Sequence, residues 1–178
     1  MRVPIPAFLL AGLAAGVAFG VPAGASTMTT ESMALPELVA HAERICEVQV
    51  LEATPAMLAD GTIETRYSFA TITPIKGDMA SIQDISMPGG EVAGRGLLLP
   101  GMPDLNVGDR SILFLSQVSA DKQWRVPVGL EAGAFEVQAG AVAGRAQVMR
   151  QHEETGETEV RDYDSFLAEI FEEVDRQG

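Results

Sequence analysis

Apolar and polar residues alternate with a period of two through much of the middle of the chain, as expected for strands that bury one face. We predict such strands over three segments: 45–53, 62–74 and 82–87. The alternation shifts phase at Leu51 and again before Ile72, which predicts bulges or sharp bends. The segment 109–118 contains the continuous apolar run Ile112–Leu115 and therefore predicts a strand buried on both faces.

Shorter strand signals follow toward the C-terminus. We predict strands over three further segments: 124–128, 135–137 and 146–150. Gly140 and Gly144 predict a hairpin before the last of these strands. The sequence QHEETGETE, residues 151–159, predicts a charged turn.

Both ends of this strand-rich region show helical periodicity. A short helix is predicted from Pro36 to Glu43, because proline suits the first helical turn. Its apolar face comprises Leu35, Leu38, Val39 and Ala42. A C-terminal helix is predicted over 164–176, with Asp164 or Ser165 as its cap. Its apolar face comprises Phe166, Ile170, Phe171 and Val174. This pattern predicts a mainly-β barrel or sandwich with a helix at each end.

The first 25 residues have the features of an export signal. Arg2 gives a positive start, the run 7–19 is apolar, and Ala23-Gly24-Ala25 gives a cleavage pattern before Ser26. We expect a bacterial protein that is exported to the periplasm or the medium. An uncleaved anchor is the alternative, although the apolar run is shorter than the roughly 20 residues of a spanning helix.

Cleavage would leave a flexible N-terminus, 26–34, followed by one domain over 35–178. The whole chain has 12 basic and 25 acidic residues, a net charge of −13. Such a charge repels phosphate backbones and anionic lipid, so we expect no nucleic-acid partner and no membrane association after cleavage.

Candidate catalytic and metal-binding residues are sparse. Cys46 is the single cysteine and is interpreted as a small buried apolar residue, with a reactive thiol or an intermolecular disulfide as alternatives. His41 and His152 lie far apart and belong to no zinc motif. The segment 104–109 matches a calcium loop only weakly. We predict no catalytic residues, no metal site and no cofactor.

The segment 88–108 suggests a binding role instead. It is rich in Gly and Pro and predicts a long ordered loop, with a short strand at 97–99. We predict an interaction loop in which Glu91, Arg95 and Met102 contact an unidentified partner, such as another exported protein. Two alternatives stay open: a hydrolase with dispersed acidic catalytic residues, and an envelope structural protein with an acidic tail.

Several motifs resemble a group of exported bacterial proteins of unknown function. In chain order they are T-x-Y-x-F-x-x-I-x-P-I-K-G, M-P-G-G-E-x-x-G, L-P-G-M-P, L-x-x-G-D-R-x-I-L-F-L and G-L-x-x-G-A-F-x-V. The resemblance covers Leu35 to Val137, and its motifs are turn and core residues. The chain departs from the group at Cys46 and Leu105, where an aliphatic and an aromatic residue are usual.

A more distant resemblance is to the netrin-like domains, through the L-x-x-G-x-x-x-I pattern of Leu105, Gly108 and Ile112. It implies an OB-like antiparallel barrel with a short N-terminal helix and a C-terminal amphipathic helix. The metalloproteinase inhibitors of that fold act through a mature N-terminal cysteine. The predicted N-terminal residue here is Ser26, so the resemblance does not imply that mechanism.

Overall fold

The computed structural model describes residues 33–140, 145–152 and 156–178. The predicted export signal and most of the predicted flexible N-terminus lie outside these residues, as does Gly144 of the predicted hairpin. The helices are α1 (Leu35–His41) and α2 (Tyr163–Gln177). The strands are β1 (Arg44–Met57), β2 (Ile63–Lys76), β3 (Ile82–Pro88), β4 (Gly90–Val92), β5 (Arg95–Leu97), β6 (Arg110–Leu115), β7 (Ala134–Ala139), β8 (Ala146–Gln151) and β9 (Thr158–Asp162).

Seven of the strands form one antiparallel sheet in the order β3-β2-β1-β6-β7-β8-β9, and β4 pairs with β5 in a separate hairpin. The predicted mainly-β class with two helices is confirmed. A closed barrel is not, because β3 and β9 are the two edges of this sheet in the described part of the chain.

The longest pairing joins β1 and β2 and contains bulges. Its register shifts between Val50 and Glu52, which confirms the irregularity predicted at Leu51. β1 continues through Pro55 to Met57, beyond the predicted end at residue 53. Extra residues in one strand bend it and increase its twist. The bulges therefore curve the β1–β2 part of the sheet.

Each face of the sheet carries its own core. Both helices cover one face, where α2 packs Phe166 and Ile170 against Phe114, Phe135 and other apolar residues. The other face buries a second cluster of residues: Cys46, Val48, Val50, Phe69, Ile85, Met87, Leu105, Leu113 and Leu115. Since neighbouring residues of a strand point to opposite faces, β6 supplies both cores, as its continuous apolar run predicted.

The segment 124–128, predicted as a strand, forms only isolated bridges. Trp124 pairs with Ser86 of β3 in the parallel sense, and Pro127 pairs with Leu115 of β6 in the antiparallel sense. Pro127 has no N–H to donate, which limits a longer ladder here.

Both helices differ in detail from the prediction. α1 ends at His41 because Ala42 is already extended, so Glu43 lies outside it. The cap of α2 is Asp162, whose carboxylate accepts hydrogen bonds from the backbone N and the hydroxyl of Ser165, at 3.0 and 2.9 Å. The predicted caps, Asp164 and Ser165, are therefore wrong. On α2, Phe166 and Ile170 are buried as predicted, whereas Phe171 is 41% exposed and Glu173 is buried.

Two short strand regions also differ from the prediction. The predicted strand at 97–99 is instead β5, which ends at Leu97 and pairs with β4 within the predicted loop. The C-terminal part of the predicted charged turn, from Thr158, belongs to β9. Residues 153–155 of that turn lie outside the described residues.

Candidate binding groove

A groove of about 470 Å³ lies on the β6–β9 part of the sheet, on the face opposite the helices. Its lining comprises Met102, Pro103, Asp104, Leu105, Asn106, Asp109, Ser111, Glu131, Ala134, Glu136, Met149, Gln151 and Thr158. This volume lies within the range of roughly 300–1,000 Å³ that is typical of ligand sites.

Strand register positions the floor of the groove. Ser111 of β6 pairs with Glu136 of β7, which in turn pairs with Met149 of β8. Residues paired in this way lie on the same face of a sheet. The neighbouring Phe135 and Val148 point to the helix-covered core. The same alternation that buries β7 and β8 beneath the helices therefore presents Glu136 and Met149 to the groove.

The wall of the groove is the end of the predicted interaction loop. Leu105 is buried in the second core cluster, on the same face of the sheet as the groove, and Met102 packs against that cluster. The backbone N–H of Asn106 donates to the Asp109 carboxylate at 2.9 Å, which closes the turn before β6. These apolar and polar contacts fix residues 102–109 against the sheet.

A 3₁₀ turn, Leu130–Gly133, holds Glu131 at the groove. The Glu131 backbone N–H donates to the Gly101 carbonyl at 2.8 Å and joins the turn to the wall. Gly133 is required by space, because a Cβ there would lie 2.3 Å from the Val128 carbonyl oxygen. The absence of a side chain at Gly133 therefore lets the turn pack closely against Val128 of the segment 124–128.

The lining carries four carboxylates, of Asp104, Asp109, Glu131 and Glu136, and no basic side chain. Among the described residues, these four form no ion pair. Clustered charges of one sign beside a low-dielectric wall concentrate the local potential. The groove is thus suited to a positively charged ligand.

The three residues of the predicted interaction loop do not all meet in this groove. Met102 lines it. Glu91 and Arg95 are exposed on the β4–β5 hairpin and are not among the lining residues. The hairpin turns at Ala93 and Gly94, which both have positive φ. The proposed contact of Glu91 and Arg95 with a partner stays a prediction.

A different carboxylate, Glu47 on β1, is completely buried. It forms an ion pair with Arg110 and accepts hydrogen bonds at 2.9 Å from the hydroxyls of Thr73 and Tyr163. The sequence pattern placed Glu47 on the polar side of its strand, and its partners lie at least 26 residues away. Burial, together with the Glu47 carboxylate as acceptor, raises the pKa of Tyr163. This network ties the start of α2 to the sheet.

A second buried carboxylate, Glu64, holds the bridged segment against β2. It accepts a hydrogen bond from the Trp124 indole Nε1 at 2.6 Å and one from the Ser86 hydroxyl at 3.2 Å. Both oxygens of Glu64 therefore have protein donors. Next to this contact, Lys122 lies 6.0 Å from the centre of the Trp124 ring and forms an ion pair with Asp60.

The single cysteine lies in the core and not at the groove. Cys46 is fully buried, and this burial raises its pKa to about 12. The Gln83 amide lies 4.0 Å from its sulfur, the limit for a weak hydrogen bond. The prediction that Cys46 is buried is confirmed. Within the described residues, no three His, Cys, Asp or Glu side chains are grouped to hold a metal ion.

Sequence reasoning found the groove only in part. It identified Met102, and it noted Asp104 and Asp109 only as a weak calcium-loop match. Glu131 and Glu136 were not singled out, although Glu136 alternates with the apolar Phe135 and Val137. That alternation places Glu136 on the less buried face, which is the available signal. Its position beside the 102–106 loop depends on tertiary structure.

Comparison with known proteins identifies no relative. No family, curated protein or solved structure matches the chain. Within the described residues, no helix has both the length and the apolar character needed to cross a membrane. The groove is therefore interpreted from its own geometry and charge.

Proposed function

We propose that this protein is an exported, non-catalytic binding module whose groove holds a positively charged segment of another exported protein. The observation that carries this proposal is the groove itself, which joins four carboxylates to apolar side chains on a rigid sheet face. Sites built on strands position their side chains more precisely than sites on loops. Export and the identity of the partner are part of the proposal.

Charge favours a cationic ligand over other classes. The lining contains no basic group, and the whole chain has a net charge of −13. The same potential that attracts lysine or arginine side chains repels nucleic acid and anionic lipid. Binding of this kind is expected to weaken as salt concentration rises, because exposed charges are screened.

An OB-like arrangement is part of the same proposal. β1, β2 and β3 form an antiparallel meander, β6 pairs with the other side of β1, and 124–127 contacts both β6 and β3. An OB-fold is a five-stranded, partly open Greek-key barrel. These five segments support an OB-like core to which β7, β8 and β9 add an extension that carries most of the groove floor. The netrin-like resemblance stays a prediction.

A hydrolase with acidic catalytic residues is the second candidate, because the carboxylates that it requires are present in the groove. The lining contains no aromatic side chain of the kind that stacks on sugars. Turnover of a glycan, ester or peptide that is lost when a single groove carboxylate is removed would replace the binding proposal.

An envelope structural role is the third candidate, based on the acidic tail. That tail contains β9, which pairs with β8 in the sheet, and α2, which packs in the helix-side core.

Calorimetric titration with a capped tetralysine peptide at low ionic strength tests the proposal. The double variant Glu131→Gln/Glu136→Gln should weaken binding by about tenfold or more, since each lost charge removes on the order of 1 kcal/mol. The control Glu172→Gln/Asp175→Asn removes the same charge from exposed positions on α2 and should change affinity less than about twofold.

Equal losses in both double variants would show non-specific attraction to an acidic surface and would contradict a groove site. Absence of binding to any cationic peptide would contradict the proposal altogether. Alanine variants of Glu91 and Arg95, compared with Met102→Ala, separate the hairpin from the groove. Loss of partner capture with the hairpin variants alone would move the site to β4–β5.

A further inference from the structure

We infer that the groove recognises a short segment with two distinct ends, one basic and the other apolar. This inference rests on the proposed binding function and defines the class of ligand more closely. It follows from how charge is distributed among the elements that line the groove. We take the ligand to be a polypeptide segment, because an extended chain with lysine or arginine at one end and aliphatic residues at the other matches both sides of the groove.

The acidic side of the groove lies toward β6 and β7. Asp109 precedes β6, Glu136 lies on β7, and Glu131 lies in the turn that leads into β7. Asp104 belongs to the adjoining wall. All four carboxylates therefore come from one side of the site, so a lysine or arginine side chain is best accommodated there.

The opposite side of the groove, formed by β8 and β9, carries no charged lining residue. It contributes Met149, Gln151 and Thr158. The register places Val160 of β9 beside Met149, and Val160 is 49% exposed. Met149 and Val160 together form an apolar strip that reaches the edge of the sheet. An aliphatic side chain is the complementary group for this strip.

Two charged residues of β9, Glu159 and Arg161, are directed away from this strip, while the third, Asp162, caps α2. Arg161 forms an ion pair with Glu169 of α2 and lies 4.5 Å from the centre of the Phe166 ring. Glu159 forms an ion pair with Arg150, which in turn lies over Phe135. Both pairs occupy the helix-covered face. Side-chain alternation therefore keeps the charges of Glu159 and Arg161 off the groove side of β9.

The width of the groove sets the length of the segment. Four neighbouring strands, β6 to β9, span three spacings of about 4.8 Å, or about 14 Å. An extended chain advances about 3.3 Å per residue, so about four residues cross the floor. A ligand in which basic residues precede or follow apolar ones fits the two sides, whereas strictly alternating residues do not.

Two capped hexapeptides of identical composition test this inference. One is Lys-Lys-Lys-Val-Val-Val and the other alternates lysine with valine. The segregated peptide should bind about fivefold more tightly or better, since it alone places valine on the apolar strip while lysine meets the carboxylates. Trilysine provides the reference for the acidic side alone.

Protein variants assign the difference to the two sides. Met149→Gln is close in size and should remove most of the advantage of the segregated peptide, while trilysine affinity changes less than about twofold. Val160→Thr, at a half-exposed position, gives a second and milder test. The Glu131→Gln/Glu136→Gln variant should weaken all three peptides.

The possible outcomes separate the two proposals. Failure of every peptide to bind overturns the binding function itself. Binding that depends on Glu131 and Glu136, but is equal for the two hexapeptides and unaffected by Met149→Gln, overturns the two-ended ligand alone. A linear polyamine that binds as tightly as the segregated peptide, or self-association of the protein that competes with peptide, also overturns it.

Discussion

Two pairs of carboxylates in this molecule, Glu47 with Glu64 and Asp104 with Glu136, have very different surroundings. Glu47 and Glu64 are buried and have protein donors on both oxygens. Asp104 and Glu136 lie in the groove, are exposed, and form no ion pair among the described residues. Glu136 accepts a hydrogen bond at 2.6 Å from the Gln138 side-chain amide. A buried carboxylate with partners stabilises the structure, whereas an exposed one without a cation is available to a ligand. The acidic composition alone does not separate these two roles.

The largest expected loss of stability comes from truncating a buried apolar side chain. This loss is the reference with which the buried carboxylates are compared. Phe114 is fully buried in the core beneath the helices. Phe114→Ala should lower the free energy of unfolding by about 4 kcal/mol, because it removes the buried ring and leaves a cavity. Urea unfolding followed by circular dichroism measures this loss. A loss below about 1 kcal/mol would mean that β6 is not the central buried strand.

Removal of the buried Glu47 carboxylate should cause the next largest loss of stability. Glu47→Ala should cost about 3 kcal/mol, since Thr73 and Tyr163 lose their acceptor and Arg110 loses its ion pair. Glu47→Gln keeps an acceptor and should cost less, which makes it the matched control. Equal stability of the alanine variant and the unaltered protein would break the distinction between the two kinds of carboxylate.

Tyr163 tests the same network through pH. Its folded-state pKa is raised, so the neutral phenol stabilises the fold; this contribution is present below the unfolded pKa of about 10 and is lost as pH rises through the folded pKa. Tyr163→Phe should therefore flatten the alkaline fall in stability. At neutral pH it should cost about 1 kcal/mol, for one hydrogen bond. An unchanged alkaline profile would argue against the contact with Glu47.

The groove carboxylates should show the smallest effect on stability. Glu131→Gln/Glu136→Gln should change the free energy of unfolding by no more than about 0.5 kcal/mol, because neither side chain has an ion-pair partner to lose and glutamine at 136 keeps an acceptor for the exposed Gln138 amide. Thermal unfolding in low salt measures the change. A destabilisation as large as that of Glu47→Ala would show that these side chains hold the fold, and would remove the reason to assign them to a ligand.

The sequence predicts the elements whose signals are local. The continuous apolar run of β6, the bulge at Leu51 and both helices follow from residue patterns within a few positions. β9 was missed because its Glu159 and Arg161 look solvent-exposed in sequence. In the fold these two side chains find partners on β8 and α2.

The same limit applies to the candidate site. Glu47 is buried in contact with Arg110 and Tyr163. These partners lie 63 and 116 residues away along the chain, so the local sequence pattern does not predict the burial. Met102 could be singled out from its loop, but Glu136 joins it only through the pairing of β6 with β7. The segment 124–128 had a strand-like pattern, yet Pro127 limits it to isolated bridges. In each case long-range pairing decides what the local pattern leaves open.

The two isolated bridges of the segment 124–127 have a consequence for dynamics. Most of the sheet is held by continuous ladders, whereas this segment is held by separate backbone hydrogen bonds. The Arg125 N–H donates to the Ser86 carbonyl, the Ser116 N–H to the Val126 carbonyl and the Val128 N–H to the Phe114 carbonyl. Regions with few cooperative hydrogen bonds open at lower free energy than the core strands. The amides of this segment should exchange with solvent sooner than those of β1 and β6. Because Trp124 is the chain's only tryptophan, its fluorescence would report this local opening before global unfolding.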